Sequence, residues 1–238
     1  MSPVRAGGLR RSNPRGHPPY LILVAQSMYR QMKERYLTMK VSEPLDVGLR
    51  RVQDEIGEWQ QREFRPDGTP ANFLIDTMIV TEEVGETARC YVKRNQNIRG
   101  GSEHWGNELR KEQADVVITV LALCANHQID LMSTLAELSG PNLDFTSPYA
   151  EMGSPEDVSL RSGLHLSEVA GRLSRLARLD PESSHEWWTE QVAIRCSYII
   201  DTTMKIATAE GFDWFEALLD RWGEVSTRRF ATNKGAED

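Results

Sequence analysis

Apolar residues recur along this chain at intervals of three and four, and stretches that alternate apolar with polar residues are nearly absent. That pattern predicts helices throughout and an all-α fold. Ser42-Glu43-Pro44 opens the first helix, with a capping hydroxyl shortly before a proline in the first turn, and the helix runs to about Phe64. Pro66-Asp67-Gly68 is a turn. A long helix follows from Thr69-Pro70 to about Arg94, then a mobile loop over 95–106 that holds Gly100-Gly101. A third helix spans about 107–127, and Asp130 caps a short fourth. Gly140-Pro141, Ser147-Pro148 and Ser154-Pro155 mark a linker, and three further helices lie near 160–179, 182–210 and 213–230.

The second half of the chain reads as a worn copy of the first. Ser167-Glu168-Val169-Ala170-Gly171 echoes Glu82-Glu83-Val84-Gly85, and Glu210-Gly211-Phe212-Asp213-Trp214 echoes His127-Gln128-Ile129-Asp130-Leu131. Glu83 stands 47 residues before Asp130, and Glu168 stands 45 before Asp213. A period of this size suggests a duplicated helical unit, although amphipathic helices also resemble one another by chance. The organisation expected is an N-terminal extension over 1–40, a helical bundle over 41–140, a linker over 141–158 and a degenerate second repeat over 159–232.

The 238 residues suffice for a sizeable core. A net charge of −7 argues against a nucleic-acid partner, because phosphate backbones want a basic surface. No apolar run reaches the roughly 18 residues that cross a bilayer, so no membrane partner is expected. Cys90, Cys124 and Cys196 are scattered in apolar helical surroundings without CxxC spacing, as in a cytoplasmic protein with reduced core thiols. Residues 1–18, rich in Gly, Pro and Arg, read as a disordered tail.

Two acidic doublets carry the chemistry. Glu83 and Glu86 lie three apart, as do Glu112 and Asp115, so each pair shares a helix face beside strongly apolar sequence. Four carboxylates gathered at the edge of an apolar bundle repel one another and raise their own pKa values. A divalent cation removes that cost, and hard oxygen ligands suit Mg2+, with Mn2+ as an alternative.

The ordered set ExxE (Glu83, Glu86) then ExxD (Glu112, Asp115) resembles the MazG-like all-α nucleoside triphosphate pyrophosphohydrolases, a superfamily that includes dimeric dUTPases and dCTP pyrophosphatases. The phrases Thr69-Pro70-Ala71-Asn72-Phe73-Leu74, Glu82-Glu83-Val84-Gly85-Glu86 and Ala114-Asp115-Val116-Val117 resemble the family's, as does the later Ile129-Asp130-Leu131. The resemblance covers about a third of the chain. It implies Mg2+-dependent cleavage of an NTP or dNTP to the monophosphate and pyrophosphate, in the service of nucleotide-pool house-cleaning. Glu83, Glu86, Glu112 and Asp115 would hold the metal, and Glu82 or Glu86 would accept the proton of the attacking water.

Substrate contacts are read with alternatives beside them. Trp59 either stacks on the base or belongs to the core. Asn72 is read as facing the pocket. Lys93, Arg94 and Arg99 either close over phosphates or form a solvated charge run. The second half lacks the acids: aligned on the capping aspartates, Arg195 and Tyr198 stand at Glu112 and Asp115, and aligned on Glu190-Gln191, Ala193 stands at Asp115, so either way it reads as a scaffold. It would act as an internal partner, giving a pseudo-dimer, unless the chain forms a homo-oligomer. Two other functional classes remain beside the hydrolase: a nucleotide-binding sensor without turnover, and a structural helical interaction protein.

Overall fold

The computed structural model describes residues 45–98, 101–139, 154–179 and 185–228, and residues from Lys40 onward form one compact unit. The extension over 1–40, the capping residues Ser42 and Pro44, Arg99, and 140–153 of the expected linker lie outside the described residues. Among the described residues there are seven helices and no strand. They are α1 (Leu45–Phe64), α2 (Phe73–Asn95), α3 (Gly101–Asn126), α4 (Leu131–Ser139), α5 (Pro155–Leu176), α6 (His185–Glu210) and α7 (Trp214–Ser226).

Side-chain caps and one buried ring move three helix ends from where the pattern places them. α2 starts at Phe73, not Thr69, because the Asn72 side chain accepts hydrogen bonds from the backbone N–H groups of Leu74 and Ile75. The expected loop at 95–106 shrinks to a few residues. Gly101 onward is helical, with Trp105 buried and its Nε1 donating to the Ile98 carbonyl at 2.6 Å. Ser154-Pro155 is a cap followed by the first helical residue rather than linker punctuation, so 155–158 belong to α5.

α2 and α3 form one hairpin, α5 and α6 another, and the two pack as a four-helix core. α2 lies against α5 and α3 against α6. The short helices cross over reciprocally: α4 packs on α6 of the other hairpin, and α7 on α3. Both hairpins leave their second helix by the same turn. Gln128 and Gly211 take left-handed backbone at φ 55° and 78°, and Ile129 N–H returns to the Cys124 carbonyl as Phe212 N–H returns to Ala207. Asp130 and Asp213 then cap α4 and α7.

One apolar core runs through both hairpins. Where α2 meets α5, a Cβ on Gly163 would stand 2.7 Å from the Tyr91 ring, so the helices approach closely only because that residue is glycine. The Tyr91 hydroxyl lies 2.7 Å from Ser159 Oγ, which donates to Glu210, and Arg94 grips the Glu210 carboxylate through two bonds of 2.6 and 2.8 Å. That network ties α2, α5 and α6 together. Cys90, Cys124 and Cys196 are buried and free. Among the described residues no single helix is long and apolar enough to cross a membrane.

Candidate metal centre

The hairpin sets the middle of α2 beside the middle of α3. Val80, Val84 and Thr87 bury the inner face of α2, while Leu109, Gln113 and Val116 bury that of α3, which fixes the rotation of both helices. Glu83, Glu112 and Asp115 are thereby carried to the edge of the seam. One oxygen from each lies within 4.8 Å of the others, and all three side chains are partly buried. Burial, and then the charges of Asp115, Glu112 and Glu82, push the Glu83 carboxyl up to about 7. Glu112 is raised too, first by burial and then by Asp115.

Two arginines offset part of this negative charge. Arg221 of α7 reaches Asp115 from the second half: Nε lies 2.9 and 3.0 Å from the two carboxylate oxygens, and Nη2 lies 2.7 Å from Oδ2. Its Nη1 donates to Glu224 at 2.7 Å. These hydrogen bonds, that to Asp115 first, raise the Arg221 pKa. Arg89 pairs with Glu86 and stands 4.0 Å from Glu112. Neither arginine emerges from reading the acidic motifs. Arg221 is nonetheless the sole basic residue of α7, on a helix that also carries Glu216, Asp220 and Glu224, and that is a legible signal.

Several expected site residues are engaged elsewhere. Glu86 is outside the close trio, with its carboxylate on Arg89, and Glu82 is exposed beside it. Trp59 is in the core, 5% exposed, meeting Phe64 and Trp222 edge to face, so it offers no face to a base. Asn72 spends its side-chain oxygen on the start of α2. Lys93 sits over the Trp105 ring, 4.9 Å from its centre. Arg94 is committed to Glu210. These three polar residues serve helix ends and packing where the sequence suggested substrate contacts.

The matching places in the second hairpin hold no acid cluster. Glu168 is fully exposed and pairs with Arg172 at 2.6 Å, which lowers its pKa. Arg195 donates to Gln191, and Tyr198 is 40% exposed.

The trio fits a hard divalent cation. It offers three carboxylate oxygens at mutual spacing a single ion can bridge, with no thiol or imidazole among them. Burial first, and neighbouring acids after it, raise the Glu83 and Glu112 carboxyls, a cost that a bound cation would relieve. Compared with protein-family models, with curated proteins and with solved structures, the chain matches none.

Proposed function

We propose that this chain is a divalent-metal-dependent nucleoside triphosphate pyrophosphohydrolase, with Mg2+ as the natural ion, Mn2+ as a substitute and nucleotide-pool house-cleaning as its role. The observation that carries the reading is the trio itself: Glu83, Glu112 and Asp115 within 4.8 Å, in an all-α bundle, with a carboxyl pushed up to about 7. The motif resemblance suggests the reaction, and the trio supports it as a group that could hold the metal ion.

Glu83, Glu112 and Asp115 would hold the ion, which when bound neutralises phosphate charge and acidifies a water. Glu82, exposed next to Glu83, or Glu86, one turn beyond it and paired with Arg89, would accept the proton of the attacking water. Arg89 orients Glu86 through their ion pair. The second hairpin acts as an internal partner: its reciprocal packing on the first supports reading the pair as a pseudo-dimer built into one chain.

The test is a screen of NTPs and dNTPs with Mg2+, reading monophosphate and pyrophosphate. Asp115→Asn and Glu83→Gln should each lower turnover by about a hundredfold or more. Release of orthophosphate first assigns a different hydrolase class. Saturable nucleotide binding with no pyrophosphate assigns a sensor, and no metal-dependent change in stability assigns a structural helical protein.

A further inference from the structure

Arg221 is a cation seated where a metal ion's charge is wanted. It comes from α7, 106 residues beyond Asp115, and its side chain is only 18% exposed. Nε and Nη2 together occupy both oxygens of Asp115, while Nη1 is held by Glu224 on its own helix. Asp115 is also a member of the trio. A divalent ion and this guanidinium therefore compete for the same oxygens.

Metal alone must loosen the Asp115–Arg221 pair and gives Arg221 nothing in return. Metal carrying a phosphate group does give it something, since a planar fork of N–H donors matches tetrahedral phosphate oxygens as well as it matches a carboxylate. Glu224 holds the third nitrogen throughout, so the freed fork stays at the rim of the trio.

We propose that Arg221 is the resident counter-cation of Asp115 in the metal-free protein and becomes a phosphate-binding residue when a metal–phosphate complex takes the trio. The inference deepens the pyrophosphohydrolase reading and rests on it. It makes the second hairpin a contributor to the site through one side chain, and it makes the site favour metal–phosphate complexes over bare metal. Arg89 has no such role: it is half exposed and reaches Glu112 only at 4.0 Å.

The experiment compares the full-length chain with Arg221→Met, which keeps the aliphatic stem, and Arg221→Lys, which keeps a charge without the fork. Calorimetry and thermal unfolding follow Mn2+ alone and preformed manganese pyrophosphate. Arg221→Met should bind Mn2+ alone several-fold tighter than wild type and gain more Tm from it. It should bind manganese pyrophosphate about tenfold more weakly, a split of signs expected when one group competes with metal and couples to phosphate. Arg221→Lys should keep wild-type affinity for bare Mn2+ and lose part of the pyrophosphate affinity.

A merely structural pair predicts that both affinities fall together in Arg221→Met, and that result overturns the proposal, as does unchanged pyrophosphate binding. Should Arg221→Met fail to fold, wild-type pyrophosphate affinity in Arg221→Lys is the overturning result. If wild type hydrolyses NTPs while either outcome holds, only the role of Arg221 falls. If wild type binds neither Mn2+ nor manganese pyrophosphate, the metal-site reading falls with it.

Discussion

Glu83 and Glu168 occupy matching places in two helical hairpins that end in the same turn, yet their carboxyls move in opposite directions. Glu83 is pushed up to about 7 by burial and by the acids around it, whereas Glu168, in open solvent, is drawn down by Arg172. The helix position is not what makes a site. The companions are: α3 brings Glu112 and Asp115 to Glu83, whereas α6 carries Arg195 and Tyr198 at the matching positions. Two hairpins of like topology thus differ in that one gathers an acid trio and the other holds none at the matching positions. The second half shares one apolar core with the first and reaches its acid trio through a single arginine, Arg221.

The most drastic way to break this comparison is to remove the second hairpin. Deleting 150–238 takes away α5, α6 and α7, whose buried residues form one core with those of α2 and α3. The remaining fragment would present the apolar faces that α5 and α6 cover, so it should aggregate or newly dimerise, as light scattering after size exclusion would show. A fragment that stays monomeric, folded and active would mean that the two hairpins are independent.

The seam between hairpins can be weakened more selectively. Gly163→Ala puts a Cβ against the Tyr91 ring and should cost about 1–3 kcal/mol in chemical denaturation, because the buried ring, with its hydroxyl on Ser159, must shift to admit it. Arg94→Met strands the partly buried Glu210 carboxylate and should cost about 2 kcal/mol. Its KM for nucleotide should stay unchanged. A raised KM at unchanged stability would return Arg94 to the phosphate-binding role suggested by its place beside the loop.

How much of this was legible in the sequence differs between fold and site. Helix period and caps place every described element, because amphipathic spacing is a local property. The ends that moved did so where a single side chain decided: Asn72 capping α2, Trp105 burying the start of α3, Ser154 capping α5. Three of the four motif acids meet because i, i+3 spacing and a hairpin suffice to align them. Glu86 drops out because Arg89, one turn on, takes its carboxylate. Trp59 could be read as platform or core, and the choice falls to Trp222, a residue of α7 that packs against it. Arg221 is least legible of all, since its partner is 106 residues away and depends on how α7 docks.

The electrostatic half of the comparison can be sharpened by pH. The folded pKa of Glu83 is raised from 4.5 to about 7, so the folded state holds its proton more tightly than the unfolded chain. That contribution to stability is fully present below pH 4.5 and is lost as pH rises through about 7. Glu112 acts in the same direction. Without metal, Tm should therefore fall between these pH values, and Glu83→Gln should flatten the fall. Saturating Mg2+ should restore Tm near pH 7 and release a proton on binding, measurable by calorimetry in two buffers. A metal-free Tm that rises steadily from pH 5 to 7.5, in wild type and Glu83→Gln alike, would contradict the raised carboxyl.

The smallest expected effect falls on the other member of the pair. Glu168 is followed by a valine as Glu83 is, but then by an alanine and a glycine where α2 has a glycine and a glutamate, and its carboxylate is in solvent beside Arg172 and His165. A surface pair of this kind is screened and contributes little. Glu168→Gln should leave turnover within a few-fold of wild type, leave the Mn2+ titration unchanged, and leave Tm within measurement error. The matched substitution Glu83→Gln should move all three. Were Glu168→Gln instead to depress turnover as Glu83→Gln does, the second hairpin would hold chemistry of its own, and the contrast between a working copy and a structural one would have to be abandoned.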